Sequence, residues 1–262
     1  MKEFFKKIAF NWLPASTRDK LRLGHYLNKL RSAKATDEKD LALLPLIVRE
    51  GQTVLDIGAN FGLYTKFLSK AVGGQGRVHS FEPILPIFSS LENNVKQLNL
   101  NNVSVHHLAI SDTEGQVMME VPAYIIGGDN FYEAHIIEPG SAASGKTFRV
   151  MTTTLDQLYK EAGLAPDFIK IDVEGHEYRL LEGGMEMIKK CHPKLLLEIN
   201  DDPAMKGGNA ARVFWLLEEL GYWPYYFDEE NLKRWHTGDR SINYLFLNNA
   251  HIRELESLVN NP

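Results

Sequence analysis

Cysteine is almost missing. Cys191 is the one thiol in 262 residues. That excludes an internal disulfide framework and a cysteine-based zinc cluster, and it fits a reducing, cytoplasmic setting. Long apolar runs are missing as well: no stretch reaches the ~18 residues that a membrane-spanning helix requires. Nor is there a strong excess of charge. Lysine and arginine number 29 against 34 aspartates and glutamates, a formal net charge of −5, so nothing global points to nucleic acid as a partner. Internal repeats and low-complexity tracts are absent. What is there, 44% apolar and 24% charged residues, suits a soluble globule of one α/β domain with an extension.

The most informative stretch is TVLDIGANFG, Thr53 to Gly62. Val54, Leu55 and Ile57 make a short buried strand that stops at Gly58. Gly58, Asn60 and Gly62 then form a turn, and Leu63, Phe67 and Leu68 mark one face of a following helix. Glycines there let backbone approach a ligand, and the helix start offers unpaired N–H groups. Asp56 is expected to point its carboxylate into the crevice beside the turn, where it suits a cationic or amino-bearing ligand and repels a pyrophosphate. The D-x-G-x-N-x-G order departs from the G-x-G-x-x-G of dinucleotide sites. Its spacing is that of S-adenosylmethionine (SAM) sites, with Phe61 among the cofactor contacts. The competing reading is an ordinary tight turn with a capping aspartate. Glu82 ends the next strand ~20 residues on, where a carboxylate grips ribose hydroxyls; otherwise it is a surface glutamate ahead of a helix. Ala109, Ile110 and Ser111 follow the third strand and are candidate contacts for an adenine ring.

Strand and helix then alternate, with strands at 77–82, 103–109, 167–172 and 194–200 and helices at 83–97, about 176–189 and 210–220. This rhythm predicts a parallel sheet with helices on both faces. The last two strands, 222–227 and 242–246, are too closely linked for a helical crossover and are expected to pair as an antiparallel hairpin at the sheet edge. The rhythm breaks at 111–155. Strands at 116–121 and 147–152 flank 122–146, which is either a substrate loop or an exposed hairpin of no special role. Three segments result: an N-terminal helical extension over 1–45, a main domain over 46–250 with the insertion 111–152, and a tail over 251–262. Near the start, Lys2, Lys6 and Lys7 sit among Phe4, Phe5, Ile8, Phe10, Trp12 and Leu13, too interrupted by charge for a signal peptide. A helix docked on the domain or over its cleft is expected, with peripheral membrane contact as the alternative. Arg18, Lys20 and Arg22 read as a solvated face first and a ligand patch second.

The densest chemistry is KIDVEGHE, 170–177. Asp172 sits at a strand's carboxyl end, where open α/β sheets bind ligands. Glu174 and His176 follow within one turn. The next strand ends in Glu198 and Asn200, and a charge at Glu198 inside an apolar run is costly to bury without a partner. Asp172 or His176 acts as general base on a hydroxyl, or Asp172, Glu198 and Asn200 hold a divalent cation such as magnesium, or His176 and Glu177 only cap the next helix. Asp172 is also placed to contact the cofactor's amino group.

With these residues placed, the chain resembles the FkbM-type family of SAM-dependent methyltransferases. VLDIGANFGLYT (54–65), SFEP (80–83), LAISDTEG (108–115), TTLDQL (153–158), DFIKIDVEGHEYRLLEGG (167–184) and LLLEIN (195–200) carry the resemblance, which covers roughly 45–248. It implies a class I, Rossmann-like fold with a seven-stranded, mostly parallel sheet. It also implies methyl transfer to a hydroxyl oxygen of a sugar, glycan or natural product. It places SAM at Asp56, Gly58, Asn60, Gly62 and Glu82, and the reaction near Asp172 and His176. Two other classes stay open: an NAD-dependent oxidoreductase, which Asp56 and the missing third glycine disfavour, and a catalytically inactive binding protein on the same fold.

Overall fold

The computed structural model describes residues 15–123, 129–137, 140–228 and 231–259. The basic and aromatic stretch from Lys2 to Leu13 lies outside them, as do the Arg18 side chain and parts of 122–146. Among the described residues no helix is long and apolar enough to cross a membrane.

The apolar run at 53–57 forms β1 (Thr53–Ile57), a central strand of an eight-stranded sheet. β2 (Arg77–Phe81) and β3 (Val103–His106) lie to one side, β8 (Phe168–Ile171) and β9 (Lys194–Glu198) to the other, all parallel. β12 (Asn243–Leu247) runs antiparallel between β9 and β10 (Trp223–Asp228). The expected antiparallel pair is therefore present, and β11 (Asn231–Arg234) adds an eighth strand outside it. The order β3-β2-β1-β8-β9-β12-β10-β11 is the class I, Rossmann-like arrangement. Connections diverge between β1 and β8, and the crevice beyond their carboxyl ends is where such sheets take ligands.

Strands in a parallel sheet bury both faces, and β1 alternates accordingly. Val54 joins Phe168, Leu196, Leu68 and Leu44 in a core beneath α2 (Lys39–Ile47) and α3 (Leu63–Val72). Leu55 and Ile57 join Ile169, Leu195 and Val213 beneath α5 (Leu155–Ala162), α6 (Glu177–Glu182), α7 (Met185–Cys191) and α8 (Asn209–Glu219). A third core involves a small separate sheet built from the insertion, ordered β4 (Ala109–Ile110), β7 (Lys146–Thr153), β5 (Gly115–Val121) and β6 (His135–Ile136). Its inner residues Met119, Val121 and Val150 pack with Tyr26 and Leu30 of α1 (Ala15–Ser32) and Ile87 of α4 (Leu85–Gln97). Lys66 of α3 donates to the carbonyls of Leu30 and Ala33 at 2.7 and 2.9 Å, a cation satisfying the carboxyl end of α1.

Several local expectations need correction. The helix expected over 176–189 is two helices, α6 and α7, parted at Gly183 and Gly184. A Cβ at Gly183 would lie 2.2 Å from the Ser111 carbonyl oxygen, and one at Gly184 2.7 Å from Leu155, so close tertiary approach, not local propensity, breaks the helix. The buried face of α3 is Tyr64, Thr65, Leu68, Ser69 and Val72 rather than a stripe through Leu63 and Phe67. Thr65 and Ser69 turn inward because each bonds a polar group there, Asp56 and Asn102. The boundaries drawn at 45 and 250 each fall inside a helix, the first in α2 at Pro45 and the second in α9 (Asn249–Glu254).

Candidate cofactor and active site

The turn after β1 runs through three left-handed residues, Gly58 (φ 78°), Asn60 (φ 50°) and Gly62 (φ 99°). The N–H groups of Gly58 and Ala59 both donate to the Phe81 carbonyl, and Asp172 N–H donates to the Ile57 carbonyl. A Cβ on Gly58 would sit 1.8 Å from the Asp172 carbonyl oxygen, so the turn and the end of β8 touch backbone to backbone. Glu82, buried at the end of β2, ties this turn to α4. Its Oε2 accepts from Asn60 N–H at 3.0 Å and its Oε1 from Ile84 N–H at 2.8 Å. Burial raises its carboxyl to about 7, with Asp172 and Asp56 adding to the rise and the two backbone donors opposing it.

These groups border a cavity of about 60 Å³ that opens to solvent. Gly58, Asn60, Glu82, Ala109, Asp172 and His176, six of the residues singled out from sequence, line it together, and Ile110 stands beside Ala109. Its opposite wall comes from the insertion: Met119, Phe131, Tyr132 and Ile136. Tyr132 accepts a hydrogen bond from Lys29 of α1 at 2.9 Å. Strand patterning located β5 and β7, and the segment between them, read from sequence as either a substrate loop or an exposed hairpin, supplies Phe131, Tyr132 and Ile136 to the cavity.

Other candidates lie elsewhere. Asp56 does not point into the crevice. In register it faces Ser80 and Lys170 across its neighbours, and the shared side-chain direction carries it beneath α3, fully buried. Its Oδ2 accepts from Thr65 Oγ1 at 2.6 Å, while Oδ1 has no hydrogen-bond partner among the described residues. Burial raises its pKa and the Lys170 ammonium counteracts the rise. Phe61 stacks on Tyr26 with centroids 4.8 Å apart, outside the cavity lining. Gly62 caps α3, where a Cβ would meet Leu91 at 2.9 Å. Ser111 acts one step back: its Oγ lies 2.8 Å from His176 Nε2 and donates to Asp112 Oδ1, whose other oxygen pairs with Arg179 at 2.9 Å. Glu198 borders a second cavity, with Asp40, Arg240 and Asn243.

The cation site is a further correction. Asp172 Oδ2 lies 2.8 Å from the Lys170 ammonium, Asn200 reaches Glu174 Oε2 at 3.4 Å, and Glu198 faces the second cavity. Among the described residues no group of three histidines, cysteines or carboxylates is arranged to hold a metal ion. The helix-capping reading holds by position, with Glu177 in the first turn of α6, but not by a side-chain bond from His176. His176 occupies the N-cap position of α6 without a side-chain cap bond, and Glu177 is buried, accepting from Gly175 N–H and Asn209. Lys170 is the residue that sequence reasoning passed over. It is 1% exposed in the middle of β8, and a charge within FIKI is the same signal that marked Glu198. Burial works against its charge, but Asp172, Asp56 and Glu198 together outweigh that and raise its pKa.

The cavity suits SAM. Its lining is largely apolar, and Glu82 keeps lone pairs beyond its two backbone bonds. A diphosphate would meet Glu82 and Asp172. The sequence profile of the methyltransferase FkbM domain matches residues 56–224. A protein-L-isoaspartate O-methyltransferase from Methanococcus maripaludis is 38% identical over 56 residues, 21% of this chain and 26% of that one, so the match spans about a quarter of that curated relative. Among solved structures, a methyltransferase FkbM from Methylobacillus flagellatus shares 19% identity over 74% of this chain and 43% of its own, with a TM-score of 0.47. An O-methyltransferase from Bacillus cereus shares 15% over 86% and 88%, with a TM-score of 0.48.

Proposed function

Because this chain belongs to the methyltransferase FkbM domain family and is a SAM-dependent methyltransferase, we propose that it methylates a hydroxyl oxygen of a sugar, glycan or natural product. SAM supplies, when bound, an electrophilic methyl on a sulfonium. In this reading Glu82 accepts the ribose hydroxyls, Ala109 and Ile110 flank the adenine, and Gly58 and Asn60 offer close backbone. Asp172 and His176 face the reacting end. The insertion closes the cavity from water and selects the acceptor. The main contribution of the chain is positioning, with a base at the acceptor oxygen.

The observation that supports oxygen as the target is the acidic rim. Asp172 and Glu174 border the same cavity as Glu82, and Glu133 is close enough to raise the Glu174 pKa. Carboxylates accept hydrogen bonds from hydroxyls and repel anions. An isoaspartyl acceptor, as in the name of the Methanococcus maripaludis relative, would bring one more carboxylate to this rim. Incubation with methyl-labelled SAM and a panel of methyl glycosides, phenols, carboxylic acids and amines tests the assignment. Label is expected on hydroxyl acceptors, and label confined to carboxylates or amines would overturn it.

A further inference from the structure

We propose that Glu174 is the general base of the transfer, taking the proton of the acceptor hydroxyl; this rests on the methyl-transfer reading above. Glu174 borders the cavity between Asp172 and His176, just past the end of β8. Its titratable neighbours in the lining each hold a closer partner than it does. Both oxygens of Glu82 accept backbone N–H groups. Asp172 pairs with Lys170 at 2.8 Å. His176 Nε2 is engaged by Ser111 Oγ, which itself donates to Asp112. Among the described residues the Glu174 carboxylate has a single long hydrogen bond, from Asn200 at 3.4 Å.

Its backbone supports the same assignment. Glu174 adopts φ 49°, a left-handed conformation that non-glycine residues hold only where the surroundings impose it, often at functional sites. Here they do. The next residue, Gly175, donates to Glu177 Oε1 at 3.0 Å, and Glu177 is buried and bonded to Asn209 of α8. The turn is thus anchored on two helices.

The groups facing Glu174 come from every side: Asp172 from β8, Glu198 and Asn200 from β9, Glu177 from α6 and Glu133 from the insertion. Burial first and then these carboxylates raise its carboxyl to about 7, which suits a base working near neutral pH. As the acceptor oxygen bonds the methyl carbon and the sulfur–carbon bond breaks onto sulfur, Glu174 takes the hydroxyl proton. The products are the methyl ether, the neutral thioether and a protonated Glu174, which loses its proton to solvent.

The test needs no acceptor. Sinefungin carries an ammonium where SAM carries its sulfonium methyl; S-adenosylhomocysteine carries neither charge nor methyl there. Calorimetry compares the two on the full-length chain, wild type against Glu174→Gln and Glu174→Asn, the latter chosen because asparagine tolerates left-handed backbone. Both variants are expected to weaken sinefungin roughly tenfold, the low end for losing an opposite charge within ~4–6 Å. S-adenosylhomocysteine affinity should stay within about twofold, which also reports an intact fold. In wild type the sinefungin preference should fall as the pH drops through 7, and in the variants that step should vanish. An unchanged preference and pH step would overturn the base assignment alone. A wild-type chain binding neither compound would overturn the methyl-transfer reading beneath it.

Discussion

The ammonium of Lys170 lies 2.8 Å from Asp172 Oδ2, with the lysine side chain 2% exposed and the aspartate 29%. The same ammonium sits 4.6 Å from the centre of the Tyr64 ring and faces the buried Asp56. One cation therefore balances acids from β1, β8 and β9. Lys170→Met leaves those acids without it, and breaking one side of a buried pair costs about 3–5 kcal/mol. Urea unfolding measures the loss. A change below ~1 kcal/mol, the scale of a surface pair, would remove Lys170 from this role.

Acidification should first stabilise the ligand-free protein. Burial raises the Glu82, Glu174 and Glu198 carboxyls to about 7, above the ~4.3 of an unfolded glutamate. The folded state then holds more protons, so their contribution is complete below ~4.3 and is lost as the pH rises through 7. His79 and His106 act oppositely, because burial lowers their pKa values and their contribution falls as the pH drops through ~6.5. The thermal midpoint is expected to rise from pH 8 to about 6.5 and to go on rising more slowly below, where the histidines oppose the carboxyls. A midpoint that falls across that first interval contradicts the raised carboxyls.

Cofactor affinity should run the other way. Ionised Glu82 is the better acceptor for ribose hydroxyls, so SAM should bind more weakly as the pH drops from 8 to 6. Glu82→Gln removes the charge, and charge-assisted hydrogen bonds are worth about 1.5–3 kcal/mol, a loss of roughly 10- to 150-fold. Calorimetry at pH 8 checks the loss, and repetition at pH 6 should find the variant insensitive. Equal affinity of variant and wild type at pH 8 would take Glu82 out of the site.

Two glycines with similar backbone should respond differently to alanine. Both Gly58 (φ 78°) and Gly175 (φ 90°) are left-handed. A Cβ at Gly58 meets the Asp172 carbonyl oxygen at 1.8 Å, whereas at Gly175 nothing lies within 4 Å. Gly175→Ala should cost only conformational strain, about 1–3 kcal/mol, and leave SAM affinity nearly intact. Gly58→Ala must part the turn from β8 and should abolish measurable SAM binding. Equal behaviour of the two in melting and calorimetry would mean that the close approach has no consequence.

How legible this was in sequence depended on distance along the chain. The strand, turn and helix of 53–72 and the placement of Glu82 rest on local pattern, and the structure has them there. The direction of Asp56 was misread because it depends on which face of β1 lies under α3, a matter of packing with Lys170 and Thr65. The break at Gly183 was invisible because its cause, the Ser111 carbonyl, is remote in sequence. Glu174 sat in plain view within KIDVEGHE, but its raised carboxyl needs Glu133, Glu177 and Glu198 gathered around it. The insertion's strands showed their alternation, but pattern alone left a substrate loop and an exposed hairpin both open, since only packing brings Phe131 and Tyr132 to the cavity.

Tyr26 lies flat on Phe61, and Phe61 belongs to the turn that Gly58 opens. The leading helix is thus masonry rather than ornament. A chain trimmed to begin at residue 46 would strip the cover from Phe61, unmoor Tyr132 from Lys29 and leave Lys66 without the carbonyls it holds. Grafting the insertion between relatives would therefore require moving α1 with it as one matched pair.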